Sequence, residues 1–139
     1  MTTESRHLSV HVDRPAAEVY DFAADPTNLP LWAQGLGGPL VHEEGAWFVE
    51  TAAGRARLTF APRNEYGVLD HEVVTPAGET VHVPLRVIPD GDASEVVFTL
   101  RRAPGMTDAE LERDAAAVMS DLGALRTVVE RLGGAGSAG

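Results

Sequence analysis

The amino-acid sequence predicts an α+β domain in which seven antiparallel strands form one sheet that curls around a long C-terminal helix. Three observations predict it: a strand-like segment at His7–Val12, six further alternating segments between residues 40 and 102, and a one-sided helical pattern near the C-terminus. The 139 residues correspond to one domain, which at this size buries roughly two-thirds of its surface on folding. We therefore expect a single domain over 1–133 and a disordered Gly/Ala/Ser tail over 134–139.

Two short helices are predicted directly after the first strand. Pro15 suits the first turn of a helix, and the apolar residues that follow it recur at helical spacing. Asp25-Pro26 ends this helix, because a residue that precedes proline is disfavoured in the α conformation. A second helix over Thr27–Gln34 is limited to about two turns by Pro30.

The middle of the chain reads as strands joined by tight turns. Turn residues such as Glu44-Gly45 and Asp90-Gly91-Asp92 separate the alternating segments, and connections this short favour antiparallel hairpins. His82 and Arg86 fall on the polar side of their segment and are expected to face solvent. The predicted strands are Leu40–Glu43, Ala46–Thr51, Arg55–Pro62, Val68–Thr75, Thr80–Ile88 and Glu95–Arg102.

The C-terminal helix has the clearest sequence pattern. Thr107 and Glu110 form a capping box at its start, and Gly133-Gly134 is expected to end it after about 25 residues, or roughly 37 Å. A helix of this length with one apolar face needs a surface of matching length to cover that face, and a curled sheet provides one. The apolar face consists of Leu111, Ala115, Val118, Leu122, Leu125, Val129 and Leu132.

Composition excludes several classes of function. With 11 Lys+Arg against 21 Asp+Glu, the formal net charge of −10 repels phosphate backbones and anionic membranes, so we expect no nucleic-acid and no membrane partner. The absence of cysteine excludes disulfides, thiolate zinc sites and cysteine nucleophiles. No apolar run approaches the roughly 18–20 residues of a membrane span, and no signal peptide is evident, so a cytoplasmic location is expected.

Several segments resemble those of a known superfamily. VDRPAAEVYDFAADPTNLPLWAQG (12–35) resembles its entry strand and first two helices, and VMSDLGALRTVVE (118–130) resembles its closing helix. EYGVLDHEV (65–73), PLRVIP (84–89) and SEVVFTLRRAPGMTDAE (94–110) resemble a bacterial subgroup of it. This is the SRPBCC, or START/Bet v 1-like, superfamily, also labelled polyketide cyclase/dehydrase-like. The resemblance implies a helix-grip fold with a cavity between sheet and closing helix for a hydrophobic or amphipathic small molecule, and implies no fixed catalytic motif.

His71 is the candidate catalytic residue. It shares strand parity with Leu69 and Val73, so an inward-facing strand directs its imidazole into the cavity. There a neutral histidine orients a ligand carbonyl or acts as a general base near pH 7. The alternative is a core histidine hydrogen-bonded to a neighbouring element.

The candidate ligand-binding residues are aromatic or apolar side chains expected on the inner surface. Trp32, beside Gly35 and Gly37-Gly38, is placed either at the cavity mouth or in the core. The five histidines show no metal-ligand spacing, so we expect no metal and no cofactor. The full set of candidates is Trp32, Trp47, Val49, Leu58, Phe60, His71, Val73, Leu85, Phe98, Val118, Met119 and Leu122.

These features support two main functions. The first is binding of a hydrophobic or amphipathic small molecule in the cavity. The second is an enzyme that acts as a cyclase, aromatase or dehydratase on a polyketide-like substrate, with the cavity folding the substrate and His71 handling protons. Self-resistance in an antibiotic producer and a regulatory or co-chaperone role through the outer surface are further alternatives. The chain is expected to be a monomer or a homodimer.

Overall fold

A computed structural model describes residues 4–34 and 38–137, with side chains described as far as residue 134. In this part of the chain there are eight strands, three α-helices and one 3₁₀ turn. They follow one another as β1 (Ser5–Val12), α1 (Ala16–Ala24), the 3₁₀ turn (Pro26–Asn28), α2 (Leu29–Trp32), β2 (Leu40–Glu43), β3 (Ala46–Thr51), β4 (Gly54–Phe60), β5 (His71–Val74), β6 (Thr80–Val83), β7 (Leu85–Asp90), β8 (Ala93–Arg101) and α3 (Asp108–Ser137).

The strands form two antiparallel sheets that meet along a bend. One sheet has the order β1-β8-β7, and the other has the order β2-β3-β4-β5-β6. They are joined where residues 67–69 run beside β7: Leu69 N–H donates to Leu85 O at 2.8 Å, and Val87 N–H donates to Gly67 O at 2.9 Å. Joined in this way, the two sheets form one curled surface, as predicted for a single continuous sheet.

The predicted single strand Thr80–Ile88 is divided at Pro84, and this division accounts for the additional strand. Its first part, β6, pairs with β5, whereas its second part, β7, pairs with β8. Proline has no N–H to donate to a ladder, so the pairing partner changes at this residue. The carbonyl of Pro84 accepts from Thr99 N–H at 3.0 Å, on the side of the three-stranded sheet.

Asp70 holds the two sheets together at this bend. Its carboxylate accepts from Leu85 N–H at 3.0 Å and from both Nε and Nη2 of Arg86 at 2.7 Å. The Arg86 guanidinium holds the pKa of this carboxyl below its ordinary value, although partial burial opposes the effect. Arg86 and His82 are exposed, which confirms that this side of the segment faces solvent.

α3 begins as the sequence predicts and extends further than expected. Glu110 N–H donates to Thr107 Oγ1 at 3.1 Å and Thr107 N–H donates to Glu110 Oε1 at 3.2 Å, which confirms the capping box. The prediction that Gly133-Gly134 ends the helix is wrong, because neither glycine adopts the left-handed conformation of a C-terminal cap. The helix includes residues 134–137 of the expected disordered tail, and residues 138–139 lie outside the described residues.

The core lies where α3 and α1 pack against the three-stranded sheet. Val12, Val96 and Leu125 are fully buried there. Of the predicted apolar face of α3, Val118 is half-buried and Leu132 is exposed, whereas the remaining members are buried. Within the described residues, no helix is long and apolar enough to cross a membrane.

Candidate functional site

A cavity of about 710 Å³ lies between α3 and the concave face of the sheets. Its wall comes from α1, α2, the inner faces of β4, β5 and β6, the start of β7, the end of β8 and one face of α3. Strand side chains alternate between faces, so every second residue of these strands points inward and makes most of the wall apolar. At Pro84 the five-stranded sheet curves away from α3. Because α3 packs on β1 and β8 of the three-stranded sheet, the space between α3 and the five-stranded sheet stays open.

All but three of the sequence-predicted ligand-binding residues line this cavity. Trp32 belongs to the wall as a buried residue of α2, with 6% of its surface exposed, rather than as an exposed residue at the rim. Its indole Nε1–H has no hydrogen-bond partner among the described residues. The predicted residues that line the cavity are Trp32, Leu58, Phe60, His71, Val73, Leu85, Phe98, Val118 and Leu122.

Trp47, Val49 and Met119 are not among the lining residues. Trp47 and Val49 face inward, but they lie on β3, one strand beyond the cavity wall, where the Trp47 ring stacks on His42 at 4.2 Å and Val49 is buried in the core. Met119 follows the lining residue Val118 on α3, and one helical step turns its side chain about 100° towards solvent.

His71 is the central polar residue of the wall. Its Nδ1 lies 3.2 Å from Leu69 O, and its ring centroid lies 6.1 Å from that of Phe60. Burial lowers the pKa of the imidazole below its ordinary value, against a smaller opposite effect of the hydrogen bond to Leu69 O. The ring is therefore neutral at pH 7, and the carbonyl acceptor assigns its proton to Nδ1.

Further polar groups in the wall were missed by sequence reasoning. Tyr20 lies on α1, and its hydroxyl accepts from Asn64 N–H at 2.9 Å. Arg63 forms an ion pair with Asp21, and its guanidinium carbon lies 5.2 Å from the centre of the Tyr20 ring. Helical spacing alone could have identified Tyr20, because it follows Ala16 by one helical turn on the apolar side of α1.

Two carboxylates line the cavity from α3. Asp114 and Asp121 precede and follow Val118 by about one turn each, so all three share a helix face. This spacing is visible in the sequence once Val118 is placed in the cavity. Asp114 and Asp121 are the two acidic residues among the described residues of α3 that line the cavity.

Comparisons with known proteins extend the structural description. No family model and no curated protein matches the sequence. Among solved structures, DynU16, a protein of the dynemicin biosynthetic locus, has a TM-score of 0.67 and 18% identity over 91% of this chain. The chain spans about half of DynU16, 47% of its length.

Two further solved structures have the same architecture. CalU16 from Micromonospora echinospora has a TM-score of 0.65 and 16% identity, with 91% of this chain and 74% of that chain covered. Ara h 8.0201 has a TM-score of 0.62 and 13% identity, with 92% and 98% covered. The curled antiparallel sheet, the long closing helix and these similarities together show that the chain has the SRPBCC/Bet v 1-like, helix-grip fold.

Proposed function

We propose that the protein binds a hydrophobic or amphipathic small molecule in the cavity between α3 and the sheets. The observation that carries this proposal is the cavity itself, about 710 Å³ with a mainly apolar wall. This volume falls within the roughly 300–1,000 Å³ typical of sites for small organic ligands. Leu58, Phe60, Val73 and Phe98 provide apolar surface for such a ligand to cover.

The rim of the cavity offers a route for entry. Val81 on β6 and Ala117 on α3 both line the cavity and are exposed to solvent. Part of the rim is therefore formed by β6 and α3. A large side chain on this rim would obstruct the cavity without removing any residue of the buried core.

This placement provides a matched pair of variants. Ala117 lines the cavity, whereas its neighbour Ala116 is also exposed to solvent but does not line the cavity. Ala117→Trp and Ala116→Trp therefore introduce the same side chain on the same helix, with the same small loss of helix propensity, about 0.5 kcal/mol.

The test is a fluorescence titration with Nile red, a neutral apolar dye. We expect saturable binding to the wild type and to Ala116→Trp, and at least a tenfold weaker affinity for Ala117→Trp. Circular dichroism and the midpoint of thermal unfolding establish that both variants are folded. Equal binding by the two variants, or no saturable binding by the wild type, would contradict the proposal.

A second candidate function is catalysis of the cyclase, aromatase or dehydratase type, and His71 is the observation that favours it. A neutral imidazole in an apolar cavity, with a nitrogen to which no described residue donates, is able to accept a proton from a bound substrate. The distinguishing measurement uses His71→Gln with a polyketide-like substrate that binds the wild type. Retained binding with loss of turnover supports an enzyme, whereas no turnover by either form leaves binding as the function.

A further inference from the structure

The cavity wall contains features that select among small molecules. We propose that the ligand is a neutral apolar molecule bearing a hydroxyl group, and that this hydroxyl donates a hydrogen bond to Nε2 of His71. This inference rests on the proposed function and specifies the ligand class of the same site.

The orientation of the His71 ring supplies the acceptor. Its Nδ1 faces the carbonyl of Leu69 at 3.2 Å, and a carbonyl oxygen only accepts, so Nδ1 carries the proton. In the neutral ring Nε2 then has a lone pair and no proton. This nitrogen is at the end of the ring away from the main chain, and no described residue donates to it.

The apolar surroundings of Nε2 increase the contribution that a hydrogen bond to this nitrogen makes to ligand binding. Phe60, Leu69 and Val73 line the cavity beside His71 and offer no side-chain hydrogen-bonding group. A ligand that covers Nε2 with a hydrocarbon surface removes it from water without replacing the lost hydrogen bond, whereas a hydroxyl replaces that bond. The wall thus distinguishes a hydroxyl from an ether or a hydrocarbon of the same shape.

The charges around the cavity exclude an anionic ligand. Asp114 and Asp121 line it from α3, and the arginine among the described wall residues, Arg63, is already paired with Asp21. A carboxylate ligand would lose hydration, meet the like charge of Asp114 and find no unpaired cation among the described wall residues. The same molecule with a neutral hydroxyl avoids this cost.

The test uses three probes that share one diphenylmethane skeleton. The first is 4-benzylphenol, which has a hydroxyl donor. The second is its methyl ether, which lacks the donor, and the third is 4-benzylbenzoate, which is an anion. Affinities are measured by calorimetry at pH 7.5 for the wild type and for His71→Phe, which keeps a ring of similar shape and removes Nε2.

We expect the ratio of phenol affinity to ether affinity to fall by roughly fivefold to tenfold in His71→Phe, the effect of one hydrogen bond. We also expect the benzoate to bind the wild type at least tenfold more weakly than the phenol. Taking the ratio cancels any general effect of the substitution on packing. An unchanged ratio, or a benzoate that binds as tightly as the phenol, overturns the inference and leaves the proposed function intact.

A second readout needs no substitution. In long-range proton–nitrogen spectra of the wild type, the Nε2 resonance of His71 should move upfield on addition of 4-benzylphenol and should not do so with the ether. Absence of this difference, when both probes bind, also overturns the inference. If none of the probes and no Nile red bind the wild type, the proposed function itself fails.

Discussion

Replacement of Asp70 is expected to weaken the bend between the two sheets. The Asp70 side chain is 15% exposed and accepts from Leu85 N–H at 3.0 Å and from two Arg86 nitrogens at 2.7 Å. Asp70→Asn keeps an acceptor for Leu85 but loses the charged pair. Because Arg86 is 49% exposed, solvent screens this pair, and we expect a loss of about 1–2 kcal/mol in the free energy of unfolding.

Asp70→Ala removes both interactions and should lower the free energy of unfolding by more than Asp70→Asn does. It leaves the Leu85 N–H at a partly buried position without its acceptor, which adds about 1 kcal/mol to the loss and brings it to about 2–3 kcal/mol. Urea unfolding at pH 7, followed by circular dichroism, measures both values. Glu72→Gln is the matched control, because Glu72 lies two residues along the same segment and is exposed on the outer face of β5.

The pH dependence of this difference tests its electrostatic origin. The pKa of Asp70 is lowered in the folded protein, chiefly by Arg86, so its contribution is fully present above the unfolded-state pKa of about 3.9 and is lost as the pH falls towards the folded-state value. The difference in the free energy of unfolding between the wild type and Asp70→Asn should therefore become smaller below about pH 4. An Asn variant as stable as the wild type at pH 7, or a gap that is unchanged at pH 3, would refute this reasoning.

Two further predictions concern the cap of α3 and a glycine in the loop beside β7. Thr107→Ala removes one half of the capping box and should destabilise the protein by about 1 kcal/mol in urea unfolding, and a variant with unchanged stability would contradict the role of the cap. Gly67→Ala should destabilise it by at least about 2 kcal/mol, because φ is +73° and the added Cβ would lie 2.2 Å from Val87 O. Gly78→Ala is its control, since Gly78 also has a positive φ but no atom within 4 Å of the added Cβ, so an equal loss in the two variants would count against a clash with β7.

Periodicity in the sequence predicts the elements of this fold, but not how one strand passes from one sheet to the other. The alternation over residues 80–88 continues through Pro84 without a break, since Val83 and Leu85 both face inward. Pro84 interrupts the ladder, but which strand becomes the new partner depends on contacts with Thr99 and Asp70, which are distant in sequence. For the same reason, the alternation of residues around Asp70 does not reveal that this carboxylate joins the two sheets.

The lining residues of the candidate site are predictable from the sequence where strand parity or helical phase alone decides which way a side chain points. Leu58 and Phe60 share one strand parity, as do His71 and Val73, and all four line the cavity wall. Parity could not exclude Trp47, because parity gives the face of a sheet and not the distance along the sheet from α3.

On α3, helical phase decides which side chains line the site. Val118 and Leu122 are one turn apart and line the cavity, together with Asp114 and Asp121. Met119 is apolar and flexible, as an adaptable cavity wall requires, but it lies one residue beyond Val118 and its helical phase turns it towards solvent. The acidic residues were missed because charged side chains on a helix are usually assigned to its solvent-exposed face.

The most direct test of the cavity as a binding site is native mass spectrometry of the protein purified from its own host, followed by denaturing extraction of any bound molecule. We expect wild type and Ala116→Trp to carry a small molecule at one per chain, and Ala117→Trp, with its obstructed rim, to be empty. A wild-type protein that carries no small molecule and binds no neutral apolar probe would contradict the account.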